Sequence, residues 1–159
     1  MLVRNATLHD IPRIAEIIVF GKRVAYRPIF NNDVVSFNEL QVIRLSDEYR
    51  NNPALVDNMI VYDDGIVKGV INRKFQDDAV EICEFYVEPF FTGNGIGRKL
   101  IEYVIVGAKA AHAKRIFLWV IADNLAARRF YEANGFRESG ATCLIEGTTK
   151  TDMCYELIL

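Results

Sequence analysis

The sequence has few of the residues that build metal centres and disulfide frameworks, with three cysteines and two histidines among 159 residues. The cysteines are an odd number and stand among apolar residues on predicted strands, at Cys83, Cys143 and Cys154. Reduced cysteines in the core are therefore favoured over disulfide bonds. Both histidines, His9 and His112, lie far from any Cys-x-x-Cys spacing, so we predict no metal site. These absences favour a cytoplasmic protein.

Long apolar runs and an excess of positive charge are also missing. No apolar stretch reaches the length of a membrane span, and the polar start MLVRNATLHD does not predict a signal peptide. Lysine and arginine number 19 against 21 aspartates and glutamates, and this net charge of −2 argues against nucleic-acid binding. With 51% hydrophobic residues, the chain suits a single domain over 1–159 with a sizeable core.

The most informative stretch is EICEFYVEPFFTGNGIGRKL, residues 81–100. Its apolar and aromatic run 82–87 predicts a strand, which Pro89 should end because proline cannot donate to a ladder. Three glycines at alternate positions follow within 93–97, and then apolar residues recur at helical spacing. The unpaired N–H groups and the positive dipole of a helix start attract anions, and glycines allow close approach. This junction is therefore predicted to hold a diphosphate.

Two common glycine motifs fail on spacing. A Rossmann fingerprint starting at Gly95 and Gly97 would need a glycine where Leu100 stands. A P-loop would need Gly-Lys-Ser/Thr after four intervening residues, and the segment 98–100, Arg-Lys-Leu, does not supply it. Both alternatives are excluded.

The run from Val87 to Leu100 instead resembles the pyrophosphate loop of the GNAT N-acetyltransferase superfamily, Gln/Arg-x-x-Gly-x-Gly/Ala. Thr92 stands at the first position of that pattern, so the Gln/Arg side chain is missing while the backbone amides stay in place. A second run, from Val120 to Phe136, resembles the family's other signature, Asn-x-x-Ala-x-x-Phe-Tyr-x-x-x-Gly-Phe. The two motifs occur in the family's order, and the likeness covers essentially the whole chain.

Periodicity and turn residues predict the element order β-α-α-β-β-β-α-β-α-β-β. A mixed sheet flanked by helices is the natural packing for that order, and the resemblance implies a single-domain GNAT-like α/β (α+β) fold with a mostly antiparallel sheet. The predicted elements are a strand at 2–6, a helix capped by Thr7 or Asp10 and broken at Arg27-Pro28, a loop at 26–31, a helix at 36–49, a hairpin over 59–71, the strand 82–87, a helix ending near Ala113, a strand at 116–121, a helix from Asp123 to Gly135, and strands at 139–146 and 150–158.

The resemblance implies an acetyl-CoA-dependent N-acetyltransferase that needs no metal. The acetyl group would move to a primary amine, either a small polyamine-like metabolite or a protein lysine, by direct attack in a ternary complex. A CoA-binding sensor or interaction module with weak turnover is the alternative, which the missing Gln/Arg side chain favours. The resemblance implies that the cofactor is held by Phe85, Tyr86, Val87, Thr92, Gly93, Asn94, Gly95, Ile96, Gly97, Arg98, Asn124 and Tyr131.

Two glutamates on the strand that enters the loop are candidates for the general base. Strand alternation places Glu81 and Glu84 on opposite faces unless a bulge intervenes. Some protein-lysine acetyltransferases of the family place their base six residues before the valine position, which here is Glu81, while Glu84 lies nearer the acetyl end. The alternative for both is a solvated charge or an ion pair.

The remaining roles also follow from the resemblance. A backbone N–H beside Val87 would polarise the thioester carbonyl, and Tyr131 aligns with the family's general-acid tyrosine. The alternative for Tyr131 is a core aromatic residue. Asn124 would bind the pantetheine arm, although its position also suits a helix N-cap.

The amine acceptor is the least defined component. Its pocket is predicted near residues 26–31 and the start of the second helix. Family members that acetylate protein N-termini often carry a glutamate at the position of Trp119, which counts against that substrate class. The expected partners are a small-molecule or peptide amine and a second copy of the chain, with neither nucleic acid nor membrane. A cationic amine is suggested by five acidic residues, Asp77, Asp78, Glu81, Glu84 and Glu88.

Overall fold

The computed structural model describes residues 2–159, and within them one seven-stranded mixed sheet is flanked by helices. The strands follow the spatial order β1-β2-β3-β4-β5-β7-β6, with β4 and β5 parallel. Antiparallel pairing joins β1 to β2, β2 to β3, β5 to β7 and β6 to β7, which confirms the predicted fold class. The bounds are β1 Val3–Asn5, α1 Ile11–Phe30, α2 Val42–Asn51, β2 Met59–Asp63, β3 Val67–Gln76, β4 Ala79–Val87, α3 Ile96–Ala110, β5 Arg115–Ile121, α4 Leu125–Ala133, β6 Arg137–Leu144 and β7 Thr151–Ile158.

The chain divides into two compact units. The first comprises the residues up to Arg73 together with 84–103, and the second comprises 74–83 together with 104–159. A single domain over 1–159 therefore stays a prediction.

The core of the first unit forms on one face of α1. Ile14 and Ile17 of α1 are fully buried and pack with Val61 and Val70 of the sheet. The spacing of the buried isoleucines along the helix is the 3–4-residue repeat that the sequence shows, because one stripe of an amphipathic helix must face the sheet. A second close approach involves Gly69 of β3, where a Cβ would lie 2.9 Å from the Cδ1 atom of Leu100. The absent side chain at this glycine lets α3 pack directly on the strand.

The start of α1 differs from the predicted cap. Asp10 occupies the cap position, but its carboxylate accepts hydrogen bonds from the N–H of Thr7 at 2.7 Å and from the guanidinium of Arg4 at 2.8 and 2.9 Å. The hydrogen bonds from Arg4 are the main cause that lowers the pKa of Asp10 to about 2. This acidic group therefore joins β1 to α1 rather than capping the helix.

The predicted break at Arg27-Pro28 and loop at 26–31 are wrong, since α1 continues to Phe30 with Pro28 inside its last turn. A proline this close to a helix end removes one backbone donor and leaves the preceding turns intact. The helix ends at Asn31, which has a φ of 51° and donates its N–H to the Arg27 carbonyl at 2.9 Å. Asparagine tolerates this left-handed conformation and stops the helix there.

The predicted helix at 36–49 is also wrong in its bounds. A short π-helical segment at Val34–Glu39 comes first, Leu40 and Gln41 are extended, and α2 follows. The carbonyls of Ser36 and Leu40, which a continuous helix would use, each accept a hydrogen bond at 2.8 Å from Arg23 of α1. Hydrogen bonds from the distant Arg23 side chain therefore replace some of the backbone hydrogen bonds of a continuous helix.

The second unit is built on the parallel pair β4–β5, with Ala79 opposite Arg115 and Ile82 opposite Leu118. Its other strands are close to their predicted bounds, with β6 and β7 antiparallel. The predicted helix after β5 is confirmed as α4, which ends before Gly135 at a φ of 91°.

The cysteines lie in different environments. Cys154 is buried, as predicted, whereas Cys83 and Cys143 are exposed, and none of the three forms a disulfide bond within residues 2–159. Cys83 points away from the core because it alternates with the buried Ile82, and Cys143 lies on an edge strand whose residues are all exposed. Among residues 2–159, no group of three His, Cys, Asp or Glu side chains is placed to hold a metal ion. In the same range, no helix is long and apolar enough to cross a membrane.

Candidate active site

The junction between β4 and α3 has the form that the sequence predicts. β4 ends at Val87, a single 3-10 turn follows at Pro89–Phe91, and α3 begins at Ile96. Gly93 and Gly95 have φ values of 80° and 74°, which favour glycine, and no heavy atom lies within 4 Å of a Cβ built on either residue. The backbone is therefore accessible where a ligand would approach.

The start of α3 supplies unpaired donors to this space. The N–H groups in the first helical turn, from Ile96 to Arg98, have no intrahelical partner, and the macrodipole makes this end positive. Ile96 is 4% exposed and anchors the turn to the core. Arg98 forms an ion pair with Glu102 at 2.8 Å, so its charge is shared within the helix. The backbone, rather than a side chain, is the main feature that suits an anion here.

Thr92 and Asn94 form side-chain hydrogen bonds to backbone carbonyls within the loop. The Thr92 hydroxyl donates to the carbonyl of Pro89 at 3.1 Å, and the Asn94 amide donates to the carbonyl of Phe91 at 3.2 Å. Both bonds hold the segment between the 3-10 turn and α3 in shape. Thr92, the residue that departs from the family pattern, thus has a local structural role.

Glu84 is held in an ion pair. Lys22 of α1 lies 3.0 Å from its Oε1 atom, and each of the two side chains is about a quarter exposed. The charge of Glu84 also acts on the buried Tyr49, whose pKa is raised first by burial and then by this carboxylate. The ion-pair alternative considered for this glutamate is therefore what the structure contains.

Glu81 is held by a neutral partner. The Gln76 side-chain amide donates to its Oε2 atom at 2.8 Å, and the residue is half-buried. Neither Lys22 nor Gln76 was recognised as a partner in the sequence. Gln76 is five residues away across a tight turn, and Lys22 is 62 residues away, so no local pattern could have paired it.

A tyrosine pair links the end of β4 to α1. The hydroxyls of Tyr26 and Tyr86 are 2.8 Å apart, and the Tyr86 ring lies against Gly21. A Cβ on Gly21 would lie 2.5 Å from that ring, so only glycine permits this contact. The arrangement fixes the last residues of β4, which carry the backbone expected to bind the thioester arm.

The second unit contains the other two predicted site residues. The Asn124 side chain accepts a hydrogen bond from the N–H of Ala127 at 3.2 Å, so Asn124 caps α4. Tyr131 is 8% exposed, and its ring lies 5.5 Å from that of Phe130 and 5.7 Å from that of Phe136. Both residues have the structural roles that were the alternatives to cofactor binding and catalysis.

Two pockets lie along the exposed side of α1, and one of them includes Arg27, Pro28 and Asn31 of the segment predicted to form the acceptor pocket. One, of about 550 Å³, lies between α1 and the turn Pro89–Phe91, and the other, of about 570 Å³, lies between the end of α1 and the π-helical segment. Arg23 and Val24 line both pockets. The predicted acceptor region therefore contains a concave surface of the size that small ligands use.

The acidic residues that suggested a cationic acceptor are largely compensated. Glu88 is 4% exposed and lies 2.8 Å from Arg13, and Asp78 lies 2.8 Å from Lys114. Glu84 is paired as described above. The local negative charge that the sequence suggested is mostly used in ion pairs within the protein.

Comparison with known proteins agrees with this geometry. A family model described as "Acetyltransferase (GNAT) family" matches residues 24–136. N-alpha-acetyltransferase 40 of Saccharomyces cerevisiae is 32% identical over 90 residues, covering 52% of this chain and 32% of that protein. N-acetylaspartate synthetase of Homo sapiens is 34% identical over 85 residues, covering 50% of this chain and 27% of that protein. The chain thus spans about a third of the length of these curated relatives.

A solved structure shares the fold over the whole chain. The PaiA N-acetyltransferase of Thermoplasma acidophilum, in complex with coenzyme A, superposes with a TM-score of 0.76 over 99% of this chain and 98% of that one, at 19% identity. The family model covers both the glycine loop and α4, which are the two segments that carry the sequence signatures. The chain therefore belongs to the GNAT acetyltransferase family.

Proposed function

We propose that this protein is an acetyl-CoA-dependent N-acetyltransferase that moves an acetyl group to a primary amine by direct attack in a ternary complex. The observation that supports this most directly is the β4–α3 junction. Its glycines at positive φ leave open space in front of the first turn of α3. N-alpha-acetyltransferase 40 and the solved PaiA structure are N-acetyltransferases by name, and the other relative described above is named N-acetylaspartate synthetase.

The residues of the junction fit the cofactor. The amides of Gly93 to Arg98 would hold the diphosphate, because a helix start and glycine backbone together favour negative charge. The backbone of 85–87 would hold the pantetheine arm, and Asn124 is a further candidate for that arm. When bound, acetyl-CoA supplies an activated acetyl group whose thiol is the leaving group.

The first task of the chain is to take a proton from the amine. A lysine-like amine with a pKa of about 10.4 is only about 10⁻³ to 10⁻⁴ neutral at pH 7, which is worth roughly 4 to 5 kcal/mol. Glu81 and Glu84 are the proposed bases, directly or through water. Each uses one carboxylate oxygen for its present partner, and a carboxylate has lone pairs on both oxygens.

Two further groups complete the proposed chemistry. The backbone N–H beside Val87 donates to the thioester carbonyl, where negative charge develops. Tyr131 gives a proton to the departing thiolate, since a phenol has an ordinary pKa of about 10, comparable to that of an alkyl thiol. The aromatic packing of Tyr131 would fix the direction of its hydroxyl.

Free thiol release from acetyl-CoA tests the proposal directly. The protein is incubated with acetyl-CoA and a panel of primary amines: amino acids, their amides, polyamines and lysine-containing peptides. We expect release that depends on both protein and amine, together with the acetylated amine by mass spectrometry. Tight acetyl-CoA binding without release for any amine would contradict the transferase and favour a CoA-binding sensor.

That sensor is the second candidate, and specific observations favour it. Thr92 replaces the family's Gln/Arg and bonds within its own loop, and both candidate bases are already engaged. The acceptor class is also open: the names of the relatives point to α-amines, while the compensated acidic residues weaken the argument for a polyamine. A cytoplasmic location and a homodimer remain expectations from the sequence.

A further inference from the structure

Arg23 of α1 is partly buried, and four contacts fix the position of its guanidinium group. Its Nε donates to the Ser36 carbonyl and one terminal nitrogen donates to the Leu40 carbonyl, both at 2.8 Å. Its guanidinium carbon lies 5.4 Å from the ring centre of Phe20 and 5.2 Å from that of Phe37. Two carbonyls and two aromatic rings therefore hold one cation in a single orientation.

The positive charge of Arg23 is not neutralised by an ion pair. Within the described residues, no carboxylate lies within ion-pair distance of Arg23, which bonds only to neutral groups. By contrast, Arg27 is paired with Asp33 at 2.7 Å, and Arg13 is paired with Glu88 at 2.8 Å. The two pockets therefore carry about one uncompensated positive charge.

The two pockets adjoin at Arg23. Arg23 and the 63%-exposed Val24 line both of them, with phenylalanine rings on either side from Phe20, Phe37 and Phe90. Ligand sites of this size combine apolar walls with a few placed polar groups that fix orientation. An arginine in a rigid orientation is suited to a planar carboxylate, because its N–H groups form charge-assisted hydrogen bonds.

We propose that Arg23 binds a carboxylate group, and that in the transferase this carboxylate belongs to the amine acceptor. The acceptor class is then an amine with an apolar portion and one carboxylate, as in amino acids and short peptides. The acceptor assignment rests on the proposed function, whereas carboxylate binding does not need turnover. A phosphate of the cofactor is the other source of negative charge, and the acetyl-CoA titration described below distinguishes it from a carboxylate.

The binding test uses 3-phenylpropionate and its neutral amide, 3-phenylpropionamide, titrated calorimetrically against the protein. We expect the acid to bind about tenfold or more tightly than the amide, the effect of one charge-assisted contact. Equal affinities for acid and amide would overturn the proposal.

Val24→Asp tests the site without cutting the bonds of Arg23 to the π-helical segment. The new carboxylate would neutralise Arg23, so 3-phenylpropionate should bind about tenfold more weakly than to Val24→Asn, which has the same shape without the charge. Val106→Asp, at a 68%-exposed position on α3, controls for overall charge and should bind like the wild type. Equal affinities in the Asp and Asn variants of Val24 would overturn the proposal.

Arg23→Gln should abolish the preference for 3-phenylpropionate over its amide, and a retained preference would also contradict the proposal.

Two further measurements separate the carboxylate site from the cofactor and from the transferase. Acetyl-CoA affinity should be the same in Val24→Asp and Val24→Asn, and a selective loss in the Asp variant would assign the cation to a cofactor phosphate instead. Thiol release with L-phenylalanine and L-phenylalaninamide should show a preference for the acid in the wild type that falls about tenfold in Val24→Asp. If 3-phenylpropionate discriminates as expected but no amine releases thiol, the carboxylate site stands and the transferase fails.

Discussion

Two strand-to-helix junctions of this protein differ in how they treat the unpaired N–H groups at the start of the helix. After β4, the chain passes through Gly93 and Gly95, whose Cβ positions face open space, before α3 begins. After β5, the chain reaches Asn124, whose side chain accepts the N–H of Ala127 and closes the start of α4. Every helix start has unpaired donors. The first junction leaves open space in front of its glycines, and the second pairs one donor with the side chain of Asn124.

From this difference we expect substitutions at the two junctions to affect different properties of the protein. Residues at the β4–α3 junction should affect acetyl-CoA affinity and proton removal from the amine. Residues at the β5–α4 junction should affect the stability of α4 and, through Tyr131, the departure of the thiol. Four substitutions test that division, from the largest expected effect to the smallest.

Tyr131→Phe should have the largest effect, since it removes a hydroxyl and keeps the aromatic packing. We expect the turnover number to fall by about 10²- to 10⁴-fold, the usual range for a positioned general acid. The thermal midpoint and acetyl-CoA affinity should change little. Steady-state kinetics with thiol detection, measured beside thermal unfolding, check both expectations.

Tyr155→Phe is the control for Tyr131 within the same aromatic cluster. The Tyr155 hydroxyl donates to Glu132 at 2.8 Å, and Arg128 donates to it at 3.1 Å, so its removal should lower the midpoint. Its effect on turnover should be much smaller than that of Tyr131→Phe. A fully active Tyr131→Phe protein would leave Tyr131 as a core aromatic residue only.

Gly95→Val should lower acetyl-CoA affinity by about 100-fold or more, because a branched side chain would occupy the space in front of several charge-assisted contacts. Valine at a φ of 74° also introduces backbone strain of about 1–3 kcal/mol. Gly147→Val is a matched control, with a φ of 72° and open space in the β6–β7 turn. Calorimetry should show the affinity loss only for Gly95→Val, while both midpoints fall. Equal affinity in the two folded variants would refute the phosphate loop.

The two glutamates of β4 should differ in their effect on turnover. Glu81→Gln should reduce turnover at pH 7 by about 10²-fold, and activity should recover at higher pH, where the amine loses its proton unaided. Glu84→Gln also breaks the ion pair with Lys22. The pH–rate profiles of both variants are the measurement. If Glu84→Gln alone shows the upward shift, the two assignments must be exchanged, and if neither does, another group or solvent takes the proton.

Asn124→Ala should have the smallest effect, a loss of about 1 kcal/mol in the free energy of unfolding through the missing cap. Asn124→Ser is the matched control, since serine also caps helices, and it should restore most of that stability. Denaturant unfolding and acetyl-CoA titration are measured on both variants. An affinity loss in the stable serine variant would show that Asn124 also contacts the cofactor and that the second junction is not limited to structure.

Parts of the structure that depend on local chemistry were predicted well. The helical repeat that starts at Ile96 is buried as expected, with Leu100 fully buried. The Asp-Gly hairpin between β2 and β3 and the glycine stop after α4 also follow the sequence. The elements that were wrong, the end of α1 and the helix at 36–49, depend on Asn31 and on the distant side chain of Arg23.

The sequence by itself determined the family, the glycine loop and the order of helices and strands along the chain, because these depend on residue spacing and on backbone freedom within short segments. Only the tertiary structure decided how charges are paired. It joins Lys22 to Glu84 across 62 residues and leaves Arg23 without a carboxylate while its neighbours on α1 are paired. Whether a charge is neutralised depends on distances of a few ångströms between remote parts of the chain, and no local pattern records those distances.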